Sequence, residues 1–357
     1  MSDRELRADF EGLEDSEERE IAPWRRKWRE FGKPILLFLI TVATTTATGA
    51  LFVHPDSFFP LTDGLSFSVP LLAILLCHEF GHYFAARHHG VPASLPYFIP
   101  LPPGLGLFGT MGAVISQEGT TDRRKLIDIG AAGPLAGLVV AIPVLIYGLT
   151  LSEVKPLVGL GQQEGNSLLY AGLKYLTKGA FLPSDGRDVM LHPTAFAGWA
   201  GLFVTMLNLL PIGQLDGGHV ATAFFGNRYR RAARIVHQAL PWLSLIAFGW
   251  IYRKLQLQSG PLPENASALE IAILSALPWM VWFVLLWVLG RLARGLDHPP
   301  VDDHTPLPRS RTALFWVVAV VFALIFMPVP FGTSVGAPVP QSALTTPAAA
   351  TAMTVVP

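Results

Sequence analysis

Long apolar stretches separated by short clusters of charge restrict how this chain can fold more than any other feature. The apolar segments run at about 34–53, 66–86, 126–150, 194–211, 237–252, 268–290 and 312–330. Most approach the roughly 20 residues that an α-helix needs to cross a bilayer. The segment 237–252 is the shortest and admits an interfacial placement. Charged residues make up only 15% of the chain and crowd into 3–29, 122–125, 228–234, 253–254 and 291–311. A soluble domain carries about a quarter. The pattern predicts an all-α polytopic membrane protein with six or seven transmembrane helices.

Basic residues orient these spans. Arg25, Arg26, Lys27 and Arg29 precede the first, placing the N-terminus in the cytoplasm, and residues 55–65 contain no Lys or Arg. Clusters at 123–125, 228–234 and 291–311 return to the cytoplasmic side, so the loop 151–193 lies outside; Arg253 and Lys254 fit this scheme less well. The acidic stretch 3–20 is unlike a signal or transit peptide. Residues 1–33 therefore read as an acidic, then basic, cytoplasmic tail, and 331–357, rich in Ala, Pro and Thr, as a disordered one. Equal numbers of basic and acidic residues, 26 each, give no basis for nucleic-acid binding. The single cysteine, Cys77, excludes an internal disulfide and a cysteine-rich metal cluster.

Residues 92–112 break the helical pattern with five prolines and four glycines among aromatic and branched residues. No straight helix tolerates that spacing. Apolar backbone outside a helix near a membrane must be buried in protein or line a wet cavity. A re-entrant loop or a short β-hairpin after the second span is expected, with a strand within 108–116.

The second span contains His78-Glu79-Phe80-Gly81-His82. Histidines four residues apart stack on one helix face and can bind one metal ion, and Glu79 is close enough to act on water there. Ionisable groups within a spanning segment are costly and are functional candidates by default. The alternative is a chance match with structural histidines, which the apolar context makes the weaker reading.

Catalytic zinc commonly takes three protein ligands. His54, His88, His89, His192, His237, His298 and His304 lie at span ends or in linkers. Asp216, in Asn208-Leu-Leu-Pro-Ile-Gly-Gln-Leu-Asp216-Gly-Gly-His219, is the better candidate, because an aspartate in an apolar segment needs a partner. Its alternative is a cap on the next helix, where aspartate is also favoured.

HExxH in a transmembrane helix, followed by Asn208-x-x-Pro211 and Leu215-Asp216-Gly217-Gly218, resembles the site-2 protease family of intramembrane zinc metalloproteases. Gly133-Pro134-Leu135-Ala136-Gly137 also resembles that family, and the likeness covers about 66–226. Where family members often carry a second proline, this chain has Gly213. The resemblance implies Zn2+ held by His78, His82 and Asp216, with Glu79 as catalytic base. It implies Asn208 as a further catalytic group that orients the scissile carbonyl or stabilises an oxyanion. His219 is either a support for the site or a packed residue. The family implies a three-helix catalytic core, here 66–86, 126–150 and 194–211, and a substrate that is a transmembrane segment of another protein. An edge strand within the Pro/Gly-rich segment would pair with the unwound substrate. Residues 151–193 are too few for a PDZ domain, so the likeness is to the PDZ-less branch; a short surface helix is expected near 167–178.

The domain reading is then a tail at 1–33, a first span and external loop at 34–65, the metalloprotease core at 66–226, additional transmembrane helices at 227–330 and the tail at 331–357. A protease that trims prenylated proteins draws its third ligand from a glutamate motif, which Asp216 argues against. A transporter would spread polar residues through several spans, and few lie outside these motifs. The expected location is a bacterial inner membrane, with a plastid membrane as the alternative.

Overall fold

The computed structural model describes residues 28–53, 61–116, 119–257, 262, 267–292, 301 and 306–336. Tail 1–27 and the linker histidines His54, His298 and His304 lie outside them. A π-helical turn at Trp28–Gly32 leads into α1 (Lys33–Val53) and α2 (Leu61–His88). Strands β1 (Tyr97–Pro100) and β2 (Thr110–Val114) follow, then α3 (Arg123–Leu151). Next come β3 (Glu153–Pro156), β4 (Leu160–Glu164), α4 (Leu168–Lys178) and β5 (Arg187–Met190). The remainder is α5 (Pro193–Asn208), α6 (Asp216–Phe225), α7 (Tyr229–Gln256), α8 (Ala268–Leu292), α9 (Arg309–Ile325) and β6 (Phe331–Val335).

The chain is a multi-spanning, helical membrane protein with a packed helical core. Five helical stretches among the described residues are long and apolar enough to cross a bilayer: 30–52, 61–88, 123–151, 216–256 and 268–291. The sequence suggests six or seven. The difference arises because α5 has 16 residues and α9 has 17. At 1.5 Å per residue α5 is only about 24 Å long. Residues 237–252 are no separate interfacial helix; they are the middle of the 28-residue α7, whose basic ends continue the helix.

Helix α5 is the hub. Ala195, Ala197, Trp199, Ala200, Leu202 and Met206 are completely buried, as expected of a helix surrounded by protein and not by lipid. Helix α3 packs along it, and also against α2 and α6. Small residues let these backbones approach, the usual device where lipid offers no hydrophobic drive for helix pairing. A Cβ on Gly198 would stand 2.8 Å from the Leu145 backbone, and one on Gly81 would stand 2.6 Å from the Ala132 carbonyl. Large rings fill the space on the other side: Phe196 stacks on Trp199, which stacks on Phe203, with Phe331 edge-on to both of the last two.

The Pro/Gly-rich segment forms an antiparallel hairpin, β1 with β2, in which Tyr97 faces Val114 and Pro100 faces Thr110. It is tied to α1: Thr44 Oγ1 donates to the Gly109 carbonyl at 2.7 Å, and Phe38 meets Phe98 edge-on. Gly109 has φ +71, and a Cβ there would strike the Thr44 carbonyl, so both its backbone angle and its contact require glycine.

Residues 152–192 build a small α/β cap over one end of the bundle, with β3 paired to β5. The expected short helix is α4, capped by the Ser167 side chain and ended by Gly179 in the left-handed region. Its Lys174 is fully buried and paired with Glu164 at 3.1 Å and Asp188 at 3.6 Å. Tyr170 donates to the same Glu164 oxygen at 2.8 Å. Burial, then the neighbouring Glu164 charge, hold that phenol well above its ordinary pKa. The tail expected from 331 starts later: Phe331–Val335 is β6, antiparallel to β4 from Glu164↔Phe331 to Leu160↔Val335. Backbone pairing with a strand that ends 167 residues earlier, at Glu164↔Phe331, together with Phe331 in the ring stack, orders it; 337–357 lie outside the described residues.

This packing predicts that Gly198→Leu, which forces α3 and α5 apart, lowers stability by about 1–3 kcal/mol. Reversible unfolding in mixed detergent micelles, read by tryptophan fluorescence, measures it. A midpoint equal to the wild type would remove the close α3–α5 contact.

Candidate metal centre

His78, Glu79 and His82 occupy one turn of α2, and His78 and Glu79 are buried. Asp216 is the first residue of α6, on a different part of the chain. Its Oδ2 is 3.1 Å from His78 Nε2 and its Oδ1 is 3.2 Å from His82 Nε2. The two imidazole Nε2 atoms are 3.2 Å apart. This is the one such group of potential metal ligands among the described residues. Asn208, the last residue of α5, brings its amide nitrogen to 3.4 Å from His78 Nε2. Glu79 sits alongside, within electrostatic range of His82 and Asp216.

The donor set fits zinc. An imidazole nitrogen offers one hydrogen or one lone pair, yet His78 Nε2 faces Asp216, His82 and Asn208 together. One nitrogen cannot answer all three by hydrogen bonds, whereas a cation shared by His78, His82 and Asp216 would satisfy those three ligand atoms. Ligands about 2.0–2.1 Å from a tetrahedral zinc stand roughly 3.3 Å from one another, close to the separations found. His82 Nδ1 donates to the Ile129 carbonyl at 2.8 Å, which leaves Nε2 as the free lone pair and fixes the ring.

The chain builds this trio by three local devices. The first is the turn before Asp216. Gly213 takes φ +57, and Gly217 and Gly218 pack against the Leu209 and Gly213 carbonyls with no room for a Cβ. The N-cap of α6 is Leu215, with no side-chain capping bond, so Asp216 is not a cap and its carboxylate is used on the histidines. The second device holds the other end of α6. Arg123 donates to the Ala223 carbonyl at 2.7 Å and the Phe224 carbonyl at 2.9 Å, satisfying the helix C-terminus with a cation.

The third is the glycine face of α3. A Cβ on Gly133 would overlap the His82 ring, and one on Gly137 would lie 3.2 Å from His78 Cβ. The Gly-Pro-Leu-Ala-Gly motif therefore makes the floor on which both histidines rest. Gly130 continues this face beneath His219, which packs there one turn after Asp216. Other described histidines go elsewhere. His192 caps α5 and His237 donates to the Phe283 carbonyl. His89 pairs with Asp128 at 3.0 Å, and Arg311 of α9 grips the same carboxylate at 2.7 Å. Sequence reasoning missed Ile129, Arg123, Asp128 and Arg311. Each acts across the fold; in the chain Ile129 looks like any apolar residue and Arg123 and Arg311 like topology-marking charges, while Asp128, a carboxylate in an apolar span, carries the same signal as Asp216.

Gly133→Ala should displace His82 and cut zinc content from one ion per chain to well below half. Asp216→Ala should do the same by removing a ligand. Metal analysis of the purified variants by mass spectrometry measures both; full occupancy in Asp216→Ala would reject it as a ligand.

Comparison with known proteins agrees with this site. The chain is 27% identical over 325 residues to EGY1 of Arabidopsis thaliana, named a probable chloroplastic zinc metalloprotease, covering 83% of this chain and 52% of that protein. It is 32% identical over 218 residues to EGY2 of Oryza sativa subsp. indica, similarly named, covering 58% and 38%. EGY3 of Oryza sativa subsp. japonica, also so named, is 28% identical over 84% of this chain and 48% of its own length. The chain thus spans about half or less of these relatives. The names of these relatives are chloroplastic, which overturns the expected bacterial inner membrane: charge pattern sets orientation but carries no information about which organelle holds the bilayer. No solved structure matches the chain. The model for peptidase family M50 matches residues 66–248, just over half of the chain and inclusive of every residue of the metal centre. The chain belongs to peptidase family M50, the site-2 protease family that its paired motifs resemble.

Proposed function

We propose that this protein is an intramembrane zinc metalloprotease that hydrolyses peptide bonds within or beside transmembrane segments of other proteins, in regulated proteolysis or membrane protein turnover. The observation that carries this reading is the convergence of His78, His82 and Asp216 beside buried Glu79 in a span-length helix. Six residues separate His82 from the end of α2, about 9 Å of helix. The chemistry then lies below the bilayer surface, where a soluble substrate does not reach.

His78, His82 and Asp216 hold the metal. Bound there, zinc supplies Lewis acidity, making water more acidic and polarising a peptide carbonyl. The Glu79 carboxylate takes the proton from water and returns it to the leaving amine. Asn208 donates its amide hydrogen to the oxygen on which charge develops. The glycine floor of α3 keeps both imidazoles from turning, so the geometry is set before substrate arrives.

A helical peptide bond is shielded by its own hydrogen bonds, so the substrate must unwind. The β1–β2 hairpin, read as re-entrant, offers an unpaired strand edge to the extended segment by strand addition. Contact of β2 with α2 supports this. We read seven spans, with α5 and α9 included. Arg311 at the start of α9 meets Asp128 near the start of α3, while β6 beyond its end pairs with the cap, so α9 joins both faces of the bundle. The core is 66–226, with 34–65 before it and 227–330 after it. Helix α1 is read as starting on the face rich in basic residues, and the names of the relatives support a plastid membrane.

Glu79→Gln should retain one zinc per chain and lose cleavage of a candidate transmembrane substrate by a factor on the order of 10²–10⁴. Cleavage assayed in proteoliposomes, with metal content measured on the same sample, checks it. Equal cleavage would remove Glu79 from the mechanism, and a wild type without bound metal would sink the reading.

A further inference from the structure

A cavity of about 790 Å³ lies between the cap, β6 and the C-terminal half of α7, separate from the metal centre. Its two walls differ in chemistry. Leu243, Ile246, Ala247 and Trp250, at helical spacing on α7, give an apolar side, and Glu164, Asn166 and Lys254 give a polar end. Ile246 and Trp250 are 66% and 70% exposed, so the apolar wall runs into the surface that faces lipid. Trp250, Tyr252, Arg253 and Lys254 close α7 with the aromatic and basic residues typical of a membrane interface.

One acceptor at the polar end has no donor. Asn166 Oδ1 is buried with no hydrogen-bond partner, one of two such atoms among the described residues. A buried carbonyl without a donor costs free energy and calls for an explanation. Beside it, Tyr170 and Lys174 both donate to Glu164 Oε1. An exposed ammonium, Lys254, stands at the rim.

We propose that this cavity binds a membrane lipid whose headgroup donates hydrogen bonds. Its acyl chain lies along Leu243, Ile246 and Trp250. The headgroup donors meet Asn166 Oδ1 and Glu164, and the Lys254 ammonium donates to a headgroup oxygen. An ammonium and sugar hydroxyls share this donor chemistry. The volume falls within the range of small-molecule sites. A lipid is favoured over a peptide because the apolar wall opens sideways to the bilayer, and acyl chains can enter there without burying unpaired backbone. The inference does not depend on the proteolytic reading.

Delipidated full-length protein, titrated with lipids of identical acyl chains and read by native mass spectrometry, tests this. Phosphatidylethanolamine or monogalactosyl diacylglycerol should be retained about tenfold or more over phosphatidylcholine, which has no headgroup donor. Which of the two binds better distinguishes ammonium from sugar. Asn166→Leu should abolish the preference, and Leu243→Trp, which fills the apolar side, should abolish retention of all three. Equal retention of the three lipids by the wild type would overturn the proposal. So would a preference unchanged in both variants. Retention of an extended peptide in place of lipid, lost in the same variants, would overturn it in favour of a peptide site.

Discussion

One carboxylate, that of Asp216, joins two histidines from a helix 138 residues earlier in the chain. Each of these groups alone would be expensive to keep inside a bilayer protein. Brought within about 3 Å of one another, they become a set of donors that a single cation satisfies. The surrounding architecture serves that meeting. Helix α2 presents the histidines, the turn after α5 delivers the aspartate, and α3 lies between as the surface against which both are seated.

The role of α3 explains a motif that otherwise reads only as a family signature. A side chain at Gly133 would occupy the volume of the His82 ring, and one at Gly130 or Gly137 would press on His219 or His78. The same helix supplies the Ile129 carbonyl that fixes the His82 ring, and Arg123 that ends α6. Asp128, one residue before Ile129, is held by Arg311 from a helix beyond the family-matched region. The C-terminal part of the chain is therefore bonded to the helix that seats the site, and through β6 to the cap on the other face.

Much of this was legible in the sequence. The lipid requirement for long apolar helices made α1, α2, α3 and α8 plain, and the spacing of His78, Glu79 and His82 located the chemistry. Asp216 was readable as a candidate, but its rival role as a helix cap could be set aside only when Leu215 proved to hold the N-cap position. Helix α5 was found but drawn three residues too long, because Leu209–Leu210–Pro211 is apolar yet already in the turn. Its short length is tolerable since protein, not lipid, surrounds it. The pairing of β4 with β6 and the Asp128–Arg311 contact were not legible. They depend on residues far apart in the chain whose side chains carry no pattern of their own. The organelle was not legible either, because basic residues set which way the spans run and not which membrane they cross.

The central claim is a zinc centre made of two imidazoles and one carboxylate inside a membrane helix bundle. X-ray absorption at the zinc edge of the purified protein tests it most directly. The account predicts one zinc per chain with a first shell of nitrogen and oxygen only, at about 2.0–2.1 Å, and scattering from two imidazole rings. A sulfur at about 2.3 Å would put Cys77, the neighbour of His78, in the shell and contradict the account, as would a single imidazole or a zinc-free protein.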